Sequence, residues 1–378
     1  MRIAIIGPLE LPGSGGVKQH CEEIGARLAA RGHEVTVLVA RGRRRRTHRG
    51  MEIRRVGSLP VRHLDRLAYS LMASLHARFR RYDVVHYHSF ASTTFLRLAR
   101  RRGRALAVTV HRLEWQDEKW GRVARALLRR SERAAVRNAD LLVAVSRSLA
   151  DDLSSRYPVI GEVHCIPNGV DLVSPDPARA TAVLAEHGLE SERFVLVVGR
   201  LQPEKGTDTV LEAWERLVGE GRTAGWRLAI VGGARHRTRF VRELEARAER
   251  LAPTVAVTGI LGRAELAALD AHAGIVASAS HHEGQPLTVI EAIVSHRCLV
   301  LSDIPAHREL CGDAAGYFPT ADADALATTL GALIASPERR QELAARSASI
   351  AQTHDFGWDA SAERLETLLL GVTINRPR

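Results

Sequence analysis

Two acids, Glu283 and Glu291, stand with seven residues between them in the stretch SHHEGQPLTVIEA, residues 280–292, and Gly284 and Pro286 follow the first closely. A carboxylate accepts two hydroxyl hydrogen bonds in fork geometry, so Glu291 suits the paired hydroxyls of a ribose and Glu283 those of a second sugar. The flanking pattern predicts a strand, GIVASAS, then the turn HHEG, then a helix, PLTVIEAIVS, with Pro286 at its first position, where a missing N–H costs nothing. Backbone amides near Leu287 and Thr288, at that helix start, are suited to a phosphate. The plainer alternative is an acid favoured by the helix dipole and another on a solvated face.

A second constellation is VVGRLQPEKGTD, residues 197–208. Arg200 leaves the end of a buried strand and Lys205 precedes the next helix, so both cations are expected beside a helix N-terminus. That combination fits a diphosphate, because Arg grips two phosphate oxygens, Lys supplies a compact charge and the helix end adds partial positive charge. A surface salt bridge is the competing explanation. No Asp-x-Asp pair stands in the loops expected to face the ligand, so the expectation is a route without metal or other cofactor.

Near the start, GPLELPGSGGVKQH places Gly13, Gly15 and Gly16 between a strand and a helix. The third position of a G-x-G-x-x-G motif is Lys18, and Arg41 follows the second strand where a dinucleotide site wants an acid. Dinucleotide binding, and with it a dehydrogenase, is disfavoured. His111 ends the strand ALAVTV, either as a functional group or as a capped loop residue.

The elements that must position these residues alternate along the whole chain. Strands are predicted at 2–7, 33–40, 83–88, 105–110, 140–145 and 163–167, with helices at 17–31, 63–80, 90–102, 118–138 and 146–156. After a turn-rich linker, 167–177, strands recur at 194–199, 226–232, 254–259, 274–279 and 298–303. The fold class is therefore α/β, with two doubly wound lobes of Rossmann-like type. Domain limits fall at 1–168 and 169–358, and a helix over 359–378 is placed to return to the first lobe. Ligands of open α/β sheets bind outside the carboxyl ends of the strands, so the expected site is a cleft between the lobes.

Composition narrows the partners. The 378 residues carry a formal net charge of +11, and residues 1–172 hold 32 Lys and Arg against 16 Asp and Glu. The run RGRRRR, residues 41–46, offers a contact for an anionic membrane surface or a phosphorylated acceptor, or is merely compositional, since only Lys18, Lys119 and Lys205 are lysines. With 4% aromatic residues and no recognition motif, nucleic acid is not an expected partner. No apolar run reaches a membrane span or a signal-peptide core, so a cytoplasmic protein, with optional peripheral contact at the inner membrane face, is expected. Four scattered cysteines suggest neither disulfides nor a zinc site.

In combination, GSGGV, His111, VSRS (145–148), PNGVD, GRLQPEKG, VGG (231–233) and the E-x7-E of EGQPLTVIE resemble the retaining glycosyltransferases of family GT4, which have the GT-B fold of two Rossmann-like domains facing across a cleft. The resemblance spans nearly the whole chain. HRLEWQDEKWG (111–121) is further similar to a motif of bacterial rhamnosyl and polysaccharide transferases, with Arg112 where those have Gly. It implies that Arg200 and Lys205 bind the donor diphosphate, Glu291 the ribose and Glu283 the transferred sugar. It also implies that Gly15, Gly16 and Gly232 approach the donor through backbone, that His111 lies near the anomeric centre, and that the segment around Ile260 meets the base.

The implied activity is retaining, metal-independent transfer from a nucleotide diphosphate sugar to an acceptor hydroxyl on a glycan, lipid-linked or natural-product acceptor. Rival readings are a nucleotide-sugar 2-epimerase of the same architecture and a non-catalytic polyanion binder using the Arg run.

Overall fold

The computed structural model describes residues 1–13, 15–58, 65–117, 120–157, 161–171, 174–234 and 236–374. The chain divides into two compact units, Met1–Gly169 with Gly357–Arg378, and Val170–Phe356. In the first unit the elements run β1 (Arg2–Ile6), α1 (Gly16–Ala30), β2 (Glu34–Val39), β3 (Arg45–His48), β4 (Met51–Arg55), α2 (Asp65–Phe79) and β5 (Val84–His88). They continue with β6 (Ala105–Val110), α3 (Arg122–Asn138), β7 (Leu141–Ala144), α4 (Arg147–Arg156) and β8 (Val163–Cys165). The sheet order is β3-β4-β2-β1-β5-β6-β7-β8, parallel except for the β3–β4 hairpin.

The second unit runs α5 (Pro177–Glu186), β9 (Phe194–Val198), α6 (Thr207–Gly219), β10 (Arg227–Val231), α7 (Arg239–Arg250), β11 (Val255–Gly259), α8 (Arg263–His272) and β12 (Ile275–Ser278). Then come α9 (Leu287–Val294), β13 (Leu299–Ser302), α10 (Pro305–Cys311), β14 (Ala315–Phe318), α11 (Ala323–Ala335) and α12 (Pro337–Thr353). Its sheet is parallel, in the order β11-β10-β9-β12-β13-β14.

The central strands are apolar on both faces because helices cover both faces of a parallel sheet. Thus β9, FVLVV, packs Val195 and Val197 with Trp214 of α6 and turns Leu196 toward Val289 and Ile293 of α9. In the first unit, Ala4, Ile6, Val85, Tyr87 and Val108 share one cluster with Tyr69 of α2. Among the described residues, no helix is long and apolar enough to cross a membrane.

A last helix, α13 (Trp358–Ile374), belongs to the first unit and packs against α1. Basic side chains of α1 and its following turn meet acids of α13, Arg27 with Asp359 at 2.9 Å and Arg31 with Glu366 at 3.1 Å, and the His33 ring nitrogen Nε2 lies 2.7 Å from Glu366 Oε1. Ser361 Oγ donates to the Pro167 carbonyl at 2.7 Å, which ties the helix to the end of the first sheet.

Three sequence expectations differ from the structure. The helix predicted at 90–102 is only two 3₁₀ turns, Phe90–Ser92 and Leu96–Ala99. Hydroxyls there bond locally to backbone carbonyls, Ser92 to His88 and Ser89, Thr93 to Phe90, Thr94 to Ala91, and so compete with a helix. The β3–β4 hairpin was not predicted, because its Arg-rich strands carry no apolar run; Arg49 and Gly50 both take positive φ at its turn. The Arg run therefore lies partly in an edge strand, where Arg45 pairs with Glu52 at 2.9 Å. Strand β14 was also missed, being short and carrying Gly316. Parts of the predicted helices at 63–64 and 118–119, and linker residues 172–173, lie outside the described residues.

Trp358 is 1% exposed and is one of the largest fully buried side chains. Replacing it with Ala should destabilise the protein by about 3–5 kcal/mol, the range for emptying a large aromatic site. Chemical denaturation measures this; a loss below about 1 kcal/mol would show that α13 is not part of the cooperative core.

Candidate active site

The second unit builds its chemistry at three strand ends. After β9 the chain passes Gly199 and the exposed Arg200, makes a 3₁₀ turn over Pro203–Lys205 and enters α6 through Gly206 at φ +62°. A Cβ at Gly206 would run into the Ala279 carbonyl after β12, and one at Gly232 (φ +144°) into the Gly199 carbonyl. Only glycine allows these backbones to approach so closely. That approach puts Lys205 beside Glu283, although they are 78 residues apart, and Lys205 Nζ pairs with Glu283 Oε1. Ser280 Oγ donates to the same oxygen at 2.8 Å.

A buried chain of hydrogen bonds supports this pair. Ser302 Oγ donates to the Ser280 carbonyl at 2.6 Å, and His307 Nδ1 donates to the Ser302 carbonyl at 2.8 Å. His307 is fully buried, and burial lowers its pKa, with the Glu283 charge acting in the opposite sense. Neither Ser280 nor His307 was singled out from the sequence, and the only available signal was proximity to the E-x7-E stretch.

Helix α9 begins at Leu287, so Pro286 is the residue before the helix, extended at φ −75°, ψ 118°, and not its first member. The correction is one residue and has a backbone cause: the boundary residue keeps extended dihedrals while its carbonyl already accepts from Ile290 N at 3.3 Å. Gly284 and Pro286 are buried, Leu287 and Thr288 half-buried. Glu291, one turn further on, is pushed up to a pKa of about 7 by burial, eased by the positive charge of Arg263. Asp270 of α8 is 4% exposed, and burial followed by the Glu291 charge raises its pKa well above the usual range. Ile260, after β11, is 69% exposed, consistent with a residue offered to a ligand or solvent.

In the first unit, Gly15 takes φ +111° and its carbonyl accepts from Lys18 N and Gln19 N, each at 3.0 Å, while Gly16 starts α1. Ser14 of the same motif lies outside the described residues. Lys18 pairs with Glu10 at 2.7 Å. His111 follows β6 and does not stand alone: its Nε2 lies 3.1 Å from His88 Nδ1, and the His20 ring is 4.6 Å away, edge on. His86 stacks obliquely on His88 at 4.1 Å. Burial lowers all four, His20 to about 4, His86 to about 3, His88 and His111 well below the ordinary value. The H-x-H of DVVHYH, two residues apart on one strand face, was the signal that could have found His86 and His88. Arg112 forms a two-bond fork with buried Asp117, both bonds 2.8 Å.

The Glu291 shift has a direction that stability can read. Its folded pKa lies above the model-peptide range, so the folded state holds a proton that the unfolded state releases between about pH 4.5 and 7. The associated stability is present below that window and lost as pH rises through about 7. Glu291→Gln should match the parent near pH 4.5 and exceed it by roughly 2 kcal/mol at pH 8, after allowance for partial exposure. Equal pH profiles in thermal melts would remove Glu291 as a buried acid.

Residues 14–174 match the family described as Glycosyltransferase Family 4, and residues 192–336 that described as Glycosyl transferases group 1. The D-inositol 3-phosphate glycosyltransferase of Xylanimonas cellulosilytica is 31% identical, over 98% of this chain and 95% of the relative. The glycogen synthase of Mycobacterium tuberculosis is 28% identical over 92% and 89%. Among solved structures, sucrose-phosphate synthase from Thermosynechococcus elongatus superposes with a TM-score of 0.83 at 20% identity, covering 99% of both chains. HepE from Anabaena in complex with UDP-glucose gives 0.79 at 18%, covering 97% of this chain and 99% of the other. These matches support sugar transfer and lend the 2-epimerase reading no support. Two parallel α/β sheets of this kind, matched by both family halves and by a relative along its whole length, mark the chain as a glycosyltransferase of family 4 with the GT-B fold.

Proposed function

We propose that the enzyme moves a sugar from a nucleoside diphosphate sugar to an acceptor hydroxyl, keeping the anomeric configuration and using no divalent ion at the diphosphate. The observation that carries this reading is the Lys205–Glu283 pair at the end of the parallel sheet, in the same β9–α6 connection as Arg200 and at the start of α6. Lys205 and Arg200 take the charge that grows on the leaving diphosphate, a task otherwise given to a metal. Glu283 accepts the hydroxyls of the transferred sugar, and Glu291 those of the ribose. Amides at Leu287 and Thr288 hold phosphate oxygen, Gly232 and Ile260 flank the base, and Gly15 and Gly16 meet the donor through backbone. His111 is assigned to the reacting carbon.

In the step itself the bond from anomeric carbon to phosphate oxygen breaks, a bond to the acceptor oxygen forms on the same face, and the acceptor proton passes to the departing phosphate. A double displacement through Glu283 is the rival chemistry. Against it, Glu283 Oε1 already accepts from Lys205 and Ser280, which reduces its reactivity toward carbon.

The HepE complex with UDP-glucose supports a nucleoside diphosphate hexose as donor, and the inositol-phosphate transferases support an anionic polyol as one acceptor class. Exposed arginines of the first unit, Arg43 to Arg45 and Arg129, Arg130, Arg133 and Arg137 of α3, suit an anionic acceptor or an anionic lipid surface.

Lys205→Ala and Arg200→Ala should each lower kcat/KM by about 2–5 kcal/mol of transition-state stabilisation, the scale for truncating one partner of a charge pair. Near-normal turnover in both would refute the diphosphate assignment. Chelator should leave turnover unchanged, and the product should show the donor's anomeric configuration by NMR; a glycosylated Glu283 in mass spectra would establish the double displacement instead. Donor incubated alone should give slow hydrolysis and no epimer. Sedimentation with anionic vesicles should weaken when Arg43, Arg44 and Arg45 become Ser; unchanged sedimentation excludes that edge as a lipid contact.

A further inference from the structure

We propose that His20, His88 and His111 form a three-nitrogen site for a borderline divalent transition metal ion, with zinc the best fit. One ring nitrogen from each lies within 4.8 Å of the other two, and all three side chains are buried. Imidazole nitrogens without carboxylates suit zinc, copper and nickel, not magnesium or calcium.

The hydrogen bonds orient the donors. His20 Nδ1 lies 2.9 Å from Asn168 Oδ1, an atom that only accepts, so Nδ1 carries the proton and Nε2 the lone pair. His20 Nε2 is buried and has no hydrogen-bond partner among the described residues; the same holds for His88 Nε2. Of the three rings, His20 thus has its other nitrogen held as ligating histidines characteristically do. His88 Nδ1 and His111 Nε2 are hydrogen-bonded at 3.1 Å, and an ion held by both would replace the shared proton, the spacing being close to the edge of about 3.3 Å between two nitrogens in tetrahedral zinc coordination.

The rings come from three rigid elements, α1, β5 and the end of β6, so the set is organised before an ion arrives. Gly7 after β1 makes room, since a Cβ there would meet the His88 Cβ at 2.7 Å. Trp358 closes the set edge-on against His20 at 5.5 Å. His111, the most exposed at 9% against 3% for His20 and 0% for His88, marks the side by which an ion enters. If His111 acts as assigned above, an ion engages its ring and lowers turnover.

The test is titration of chelator-treated full-length protein with cobalt(II). One ion per chain should give the visible d–d bands of tetrahedral nitrogen coordination, and zinc should displace it. His20→Gln and His88→Gln should each weaken binding at least tenfold, while His354→Gln, at an exposed position, should not. Absence of the bands in the parent protein, or bands that survive both cluster substitutions, would overturn the site. If His88→Gln does not fold by circular dichroism, the parent spectrum and His20→Gln decide. Zinc should inhibit the parent and not His20→Gln; cobalt bound at full occupancy without loss of turnover would overturn the role given to His111 and leave the metal site standing.

Discussion

A positive ammonium and a negative carboxylate held together at the end of a parallel sheet is the interaction on which the second unit's chemistry depends. Lys205 and Glu283 come from different strand-to-helix connections, and they meet only because Gly206 lets one connection touch the backbone of the other. In a partly dry setting such a pair interacts more strongly than at an exposed surface, so each charge holds the other in place.

Around this pair the protein keeps ionisable groups where water is scarce. Glu291 and Asp270 are pushed toward their neutral forms in the second unit, and four histidines are held neutral in the first. None of these placements favours folding, because burial opposes charge and leaves lone pairs unsatisfied. They persist because the apolar cores around Trp214 and Tyr87 supply the stability. Clusters of ionisable groups perturbed in this way are the usual signature of a functional site.

The parallel strands were legible because burial on both faces writes a continuous apolar run, as in RIAII, FVLVV and ALAVTV. Where that run was absent, reading failed: β3 and β4 are an arginine-rich edge hairpin, and residues 90–102 carry apolar spacing but spend their hydroxyls on local carbonyls. The boundary at Pro286 was off by one residue because helix ends depend on which dihedral the boundary residue adopts, not on periodicity.

By itself the sequence determined the α/β alternation, the two lobes, the glycosyltransferase family and a short set of candidate residues at strand ends. Periodicity and motif spacing are local properties, and each strand with its following helix obeys them in isolation. Tertiary structure alone decided the partners: that Lys205 faces Glu283, that Asp270 crowds Glu291, and that His20 meets Asn168 across 148 residues of chain. Those meetings are set by how crossover connections stack strands side by side. A contact made through the sheet leaves no trace in the spacing of either residue.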